Sequence, residues 1–226
     1  MSFARLVLVV ALKDLRAELR TKEAINASLA FALVILLMFS FAFDPSDETT
    51  RQISGGLLWI VFAFAGTLIL NRSFARELPN DCLDALIAAP ISSSALFMGK
   101  ALANFVLVLA VELVALPVFG VFYNVHWTSQ LPELLMVMAL GTWGLTVIGT
   151  IFSALTVNIR LREVMLPMLT YPILVPALMG AMQLTSALVN GSPIGADNAE
   201  WLKMLIGFDV VYTAVSLILV ETVLVG

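Results

Sequence analysis

Six stretches of this sequence are too long and too apolar for a soluble fold of this size to bury, and they set the terms for everything else. Crossing the hydrocarbon core of a bilayer takes about 20 mostly apolar residues, with each backbone N–H and C=O bonded inside its own helix. Residues 24–43 and 53–71 carry no charged side chain, and 101–124 carries only Glu112. The run 134–159 is uncharged between Glu133 and Arg160; 164–189 and 204–225 follow, the last interrupted by Asp209 and Glu221. Composition agrees: 61% of residues are hydrophobic, 12% are charged, and the mean hydropathy is +1.01. An all-α, polytopic membrane protein with six transmembrane helices is therefore expected, the whole of 1–226 forming one transmembrane domain.

The net charge of −4 says little, because the charges gather at segment ends. Ahead of the first span, Leu8, Leu12, Leu15 and Leu19 form one apolar stripe, with Arg5, Lys13, Arg16 and Arg20 on a neighbouring flank. A signal peptide is excluded by Lys13, Asp14, Arg16, Glu18, Arg20, Lys22 and Glu23, which stand where a small-residue cleavage site would be needed. Residues 1–22 instead read as an amphipathic helix lying in the headgroup layer. Basic residues near span ends are retained in the cytoplasm. Ten of the twelve Lys and Arg residues, including Arg72, Arg76, Lys100, Arg160 and Arg162, fall on one side, against Arg51 and Lys203 on the other. The opposite loops collect acids and turn formers, among them Asp44, Pro45, Asp47 and Glu48. Both termini are expected in the cytoplasm, in a bacterial cytoplasmic (inner) membrane.

Catalytic chemistry finds no foothold. The single cysteine, Cys82, makes neither a disulfide nor a multi-cysteine metal site, and the single histidine, His126, sits beside Trp127 at the outer end of the third span. A phosphate-binding loop needs a glycine five positions before its Gly-Lys pair and a hydroxyl after it. Gly99 and Lys100 supply the pair, but Ser94 and Ala101 stand at the two flanking positions. No catalytic residue, metal site or bound cofactor is expected, nor any nucleic-acid partner; lipids surround the chain. Glu112 is the intramembrane polar candidate, since a carboxylate at mid-membrane costs roughly 3 kcal/mol or more unless it faces protein or water. Asp209 is expected near enough to the outer interface to be solvated. Pro117 in the third span and Pro167, Pro172 and Pro176 in the fifth predict kinks or broken turns.

The stretch 72–100 carries more pattern than topology requires. Asn80 or Asp81 after Pro79 caps a helix start, Leu83, Leu86 and Ile87 give one apolar face, and Pro90 stops the helix. Such a helix either lies on the membrane or fits a groove on a partner.

Arg76, Glu77, Leu83, Asp84, Leu86, Pro90, Ser92, Gly99 and Lys100 resemble the loop of ABC-2-type permeases, in which a short coupling helix meets a cytoplasmic ATPase. The tract Gly55, Gly56, Leu57, Leu58, Trp59 through Arg72, Phe74, Leu83, Pro90 and Lys100 is similar, more narrowly, to the haem exporter B family (CcmB) of cytochrome c maturation. That resemblance implies a permease subunit with no ATPase activity of its own. It implies a separate ABC ATPase that uses ATP, haem-handling membrane subunits as partners, and two copies in the complex. Haem is then the cargo, or the load on a chaperone whose release ATP hydrolysis drives. Arg76, Glu77, Leu83, Asp84, Leu86, Ile87 and Pro90 become the ATPase-coupling residues. Another ABC-2 cargo (lipid, polysaccharide or drug) and a non-transport membrane scaffold are the rival readings.

Overall fold

A computed structural model describes residues 2–44, 47–78, 82, 86, 91–123 and 130–225. Its elements in chain order are α1 (Phe3–Thr21), α2 (Glu23–Ala42), α3 (Glu48–Leu70), a 3-10 turn (Ala75–Glu77), α4 (Ser93–Phe122), α5 (Leu131–Thr156), α6 (Arg162–Val189) and α7 (Ala199–Val225). Helices α2 to α7 are the six that are long and apolar enough to cross a membrane, so the chain is an all-α polytopic membrane protein. α1 meets α2 at Lys22, whose left-handed backbone (φ 55°) turns the chain between them.

α3 and α5 are the most enclosed spans, and α2, α6 and α7 the most exposed. α3 packs on α2 and α6, α5 packs on α4, α6 and α7, and α1 lies along α4. Lipid supplies no hydrophobic drive between helices, so close backbone approach and polar contacts between spans must do that work. Both are present. Gly55 of α3 lets the backbone of α6 come in at Met182 and Ser186, and Gly141 of α5 accepts the indole of Trp59. Trp59 is fully buried and its Nε1 donates to Thr185 Oγ1 at 2.9 Å, tying α3 to α6. The hydroxyls of Thr67 and Tyr171 lie 2.9 Å apart on the same pair of helices, and Ser28 Oγ donates to the Ala65 carbonyl between α2 and α3 at 2.6 Å.

Two expectations need correction, and at the prolines the helices are found continuous. Lys100 is not the end of a loop: α4 begins at Ser93, where the Ser92 side chain accepts from the Ala95 N–H, and Lys100 stands two turns inside it. Asp209 is not solvated. α7 starts at Ala199, which carries Asp209 about 15 Å into the helix, where it is 6% exposed beside Gly144. α6 runs without a break through Pro167, Pro172 and Pro176, and α4 through Pro117. Within a bundle, neighbouring helices and local adjustment re-satisfy the backbone groups that a proline frees.

On α1, Leu8, Leu12 and Leu19 of the leucine stripe point away from the bundle, each about half exposed, while Leu15 packs against the core. A second face, Val7, Val10, Ala11 and Glu18, is buried, and Val10 and the Val7 carbonyl press on Gly99 of α4. This helix therefore leaves an apolar side exposed and is docked on protein along the other.

Candidate functional site

The chain's charged residues concentrate where α1, the exit of α3 and the start of α4 meet. Lys100 is the centre. Its ammonium group is fully buried and donates to Asp14 Oδ2 at 3.0 Å, Glu77 Oε1 at 3.0 Å and the Ser73 carbonyl at 2.9 Å. Three donors thus meet three acceptors, two of them carboxylates, so the buried ammonium has its full complement of hydrogen bonds. The same group lies 4.9 Å from the centroid of the Phe74 ring, adding a cation–π contact.

Around this centre the network spreads. Lys13 Nζ bonds Glu77 Oε1 at 2.5 Å and lies 3.1 Å from Asp14 Oδ1. Burial alone would lower the Lys13 pKa, but the hydrogen bond to Glu77 and the charges of Asp14 and Glu77 outweigh it, so the net shift is upward. Arg76 pairs with the buried carboxylate of Glu18, whose Oε1 accepts the Ile25 N–H at 2.9 Å. Arg72 reaches Glu23 at the start of α2 at 2.5 Å. Deeper, Asn104 Nδ2 donates to Ser73 Oγ and Thr150 Oγ1, each at 2.9 Å, and Ser153 Oγ donates to the Leu70 carbonyl at 2.8 Å. The exit of α3 is thereby fixed to α1, α4 and α5 together.

Of the residues assigned to ATPase coupling, Arg76 and Glu77 fall inside this network, and Leu86 is half-buried in a helical conformation. Leu83, Asp84, Ile87 and Pro90 lie outside the described residues, as do Pro45, Pro79, Asn80, Asp81, His126 and Trp127. Cys82 is helical and exposed. Sequence reasoning passed over Asp14 and Glu18. A signal was available: Val7, Ala11, Asp14 and Glu18 recur at helical spacing on one face, so two acids lie in line with small apolar residues that dock on protein.

A second polar layer lies within the bundle. Glu112 is 1% exposed and accepts a hydrogen bond from Thr142 Oγ1 at 2.6 Å on Oε2, while Oε1 has no partner among the described residues. Neither oxygen of Asp209 has one. Glu112 precedes the end of α4 by ten residues, and Asp209 follows the start of α7 by ten. Both ends lie away from Lys100, because Val220 near the end of α7 packs with Phe97 and Ala101 near the start of α4. The two acids thus share one depth and lie on different sides of α5, against Thr142 and Gly144 respectively. Among the described residues no group of three or more His, Cys, Asp or Glu side chains is placed to hold a metal ion.

Six spans, a docked amphipathic N-terminal helix and a charged node beside the exit of α3 define a polytopic membrane protein. Residues 5–223 match the family model described as CcmB protein, and the chain belongs to that family. It is 32% identical over 182 residues to heme exporter protein B of Rhodobacter capsulatus, covering 80% of this chain and 83% of that one. It is 29% identical over 186 residues to heme exporter protein B of Paracoccus denitrificans, covering 82% and 85%. The protein of the same name from Escherichia coli K12 is 24% identical over 168 residues, covering 74% and 76%.

Proposed function

We propose that this chain is the membrane permease subunit of an ABC exporter in c-type cytochrome biogenesis. Hydrolysis of ATP by a separate cytoplasmic subunit drives either export of haem or release of a haem-loaded chaperone. The observation that carries this reading is the family match over 5–223, with relatives named heme exporter protein B. The geometry supports it through the Lys100 node. A coupling helix transmits force only if its root is stiff, and the loop that holds Cys82 and Leu86 leaves α3 at a turn held by Lys100, Asn104 and Ser153. Motion of the loop would pass directly into α1, α4 and α5.

In this reading both termini face the cytoplasm of a bacterium, the membrane is the inner one, and two copies assemble with the ATPase and with haem-handling membrane subunits. Arg76 and Glu77 hold the root, while Leu83, Leu86 and Ile87 seat in a groove of the ATPase, flanked by Asp84 and ended by Pro90. Glu112 is a buried polar group of the translocating bundle. Haem is handled as cargo, not as a resident cofactor.

Copurification of the ATPase with tagged chain tests the assignment. Leu86→Asp puts an unpaired charge into a dry groove, a cost of about 3 kcal/mol, and is expected to abolish copurification while leaving membrane insertion intact. Ala85→Asp, on the opposite helical face, is expected to be milder. Equal damage from the two substitutions, or none from Leu86→Asp, removes the coupling assignment.

A further inference from the structure

A cavity of about 580 Å³ opens between α2, α3 and the start of α6, at the basic end of the bundle. Its mouth is cationic, formed by Arg72, Arg76 and Arg162; its inner wall is apolar, formed by Ala24, Ala27, Phe31, Phe64 and Leu68. Two of the three arginines are engaged, Arg72 with Glu23 and Arg76 with Glu18. Arg162 has no acidic partner among the described residues, and Glu163 beside it is the one acid in the lining. α6 begins at this mouth without a side-chain cap on its first turn.

Below the mouth the apolar wall continues. A narrower groove of about 180 Å³ runs between α2 and α3, lined by Phe31, Ile35, Phe39, Ile60, Val61 and Phe64 with no polar surface. Phe31 and Phe64, with ring centroids 6.4 Å apart, line both spaces, so the cavity and the apolar groove adjoin along α2 and α3.

We infer that this cleft holds one acidic phospholipid of the adjoining leaflet, its phosphate at Arg162 and Arg72 and an acyl chain in the groove between α2 and α3. Charge complementarity selects an anionic headgroup, and a long, thin, wholly apolar groove selects a chain of methylenes. Under the orientation proposed above the leaflet is the cytoplasmic one; the binding itself does not depend on that orientation or on the cargo. The lipid would fill the space between α2 and α6, two of the more exposed spans, and brace the α2–α3 pair beside the loop root.

The test uses the full chain in nanodiscs containing dioleoyl phosphatidylglycerol and dioleoyl phosphatidylcholine in equal amounts, followed by native mass spectrometry of the lipid retained on release. Wild type is expected to retain phosphatidylglycerol in preference to phosphatidylcholine. Arg162→Gln is expected to lower that preference about fivefold, the effect of one basic group at an anionic membrane surface. Ala27→Phe, which places a ring in the cavity from an exposed position, is expected to lower retention of both lipids. Equal retention of the two lipids by wild type overturns the inference, as does a preference unchanged by either substitution. Displacement of the lipid by haem with loss of the preference overturns it in favour of a cargo site. Copurification of the ATPase by Arg162→Gln, measured in parallel, separates failure of this inference from failure of the transporter reading: loss of the lipid with the ATPase retained supports the lipid site alone.

Discussion

Replacing Lys100 by Met keeps the length and apolar stem of the side chain and removes only the charge. The ammonium is fully buried, with Asp14 and Glu77 each at 3.0 Å, and their side chains are 15% and 13% exposed. Removing one member of a buried ionic cluster costs about 3–5 kcal/mol, mostly because the remaining charges stay desolvated without a partner. Lys13 still reaches both acids, at 3.1 Å and 2.5 Å, and is itself 43% exposed, so it offsets part of that loss. A destabilisation near the lower bound, about 3 kcal/mol, is therefore expected for Lys100→Met, read as unfolding of the purified chain in mixed micelles. The signature lies in the compensation. Adding Asp14→Asn and Glu77→Gln to Lys100→Met removes the stranded charges and is expected to restore about 1–2 kcal/mol, since a buried ionic group is often replaceable by neutral ones at little net cost. A loss below about 1 kcal/mol for Lys100→Met, or a triple variant no more stable than the single one, would refute the view that Lys100 neutralises the two acids.

Glu112→Gln is expected to preserve c-type cytochrome formation, because the amide still accepts from Thr142, whereas Glu112→Lys inserts a cation at a cost of roughly 3 kcal/mol and is expected to lower the amount of assembled protein. Loss of cytochromes in a normally assembled Glu112→Gln variant would show that the carboxylate is needed. Gly141→Val drives a side chain into the Trp59 indole and is expected to destabilise the chain by about 1–3 kcal/mol, with a change in tryptophan fluorescence; Gly56→Ala, where the new Cβ meets nothing, is expected to be silent. Reporter fusions after Thr49, Ser94, Gln130, Leu161 and Asp197 are expected to alternate out, in, out, in, out, and an external signal at Ser94 or Leu161 would overturn the orientation.

The six spans were legible because lipid demands long apolar runs, and each of the six observed helices has at least one end within a few residues of its apolar stretch. What misled at the others was treating a charge as a boundary. Arg51, Lys100 and Lys203 look like span boundaries but stand inside α3, α4 and α7, and Asp209, expected near the outer interface, is a carboxyl set against Gly144. Gly55 and Trp59 were visible as a motif, while the reason for them was not: one admits the α6 backbone and the other crosses from α3 to Thr185 on α6, contacts 126 residues apart in the second case. The Lys100 node was half legible. Arg76 and Glu77 were singled out from the loop pattern, but Asp14 and Glu18 were masked by the more obvious leucine stripe on α1.

The bond between Asp14 and Lys100 joins residues 86 positions apart, and that separation sets an order of events during synthesis. α1 leaves the ribosome first, yet the helix that receives it does not exist until α2, α3 and the loop have followed. At about 5–20 residues per second the wait lasts roughly 4–17 seconds. Through that interval Asp14 lacks its partner on α4, and the outward stripe of Leu8, Leu12 and Leu19 is available to hold the nascent helix against the bilayer surface. α1 is then a latch that closes late, and crosslinking position 7 to position 99 in ribosome-stalled chains of increasing length would show it shutting only after α4 has emerged.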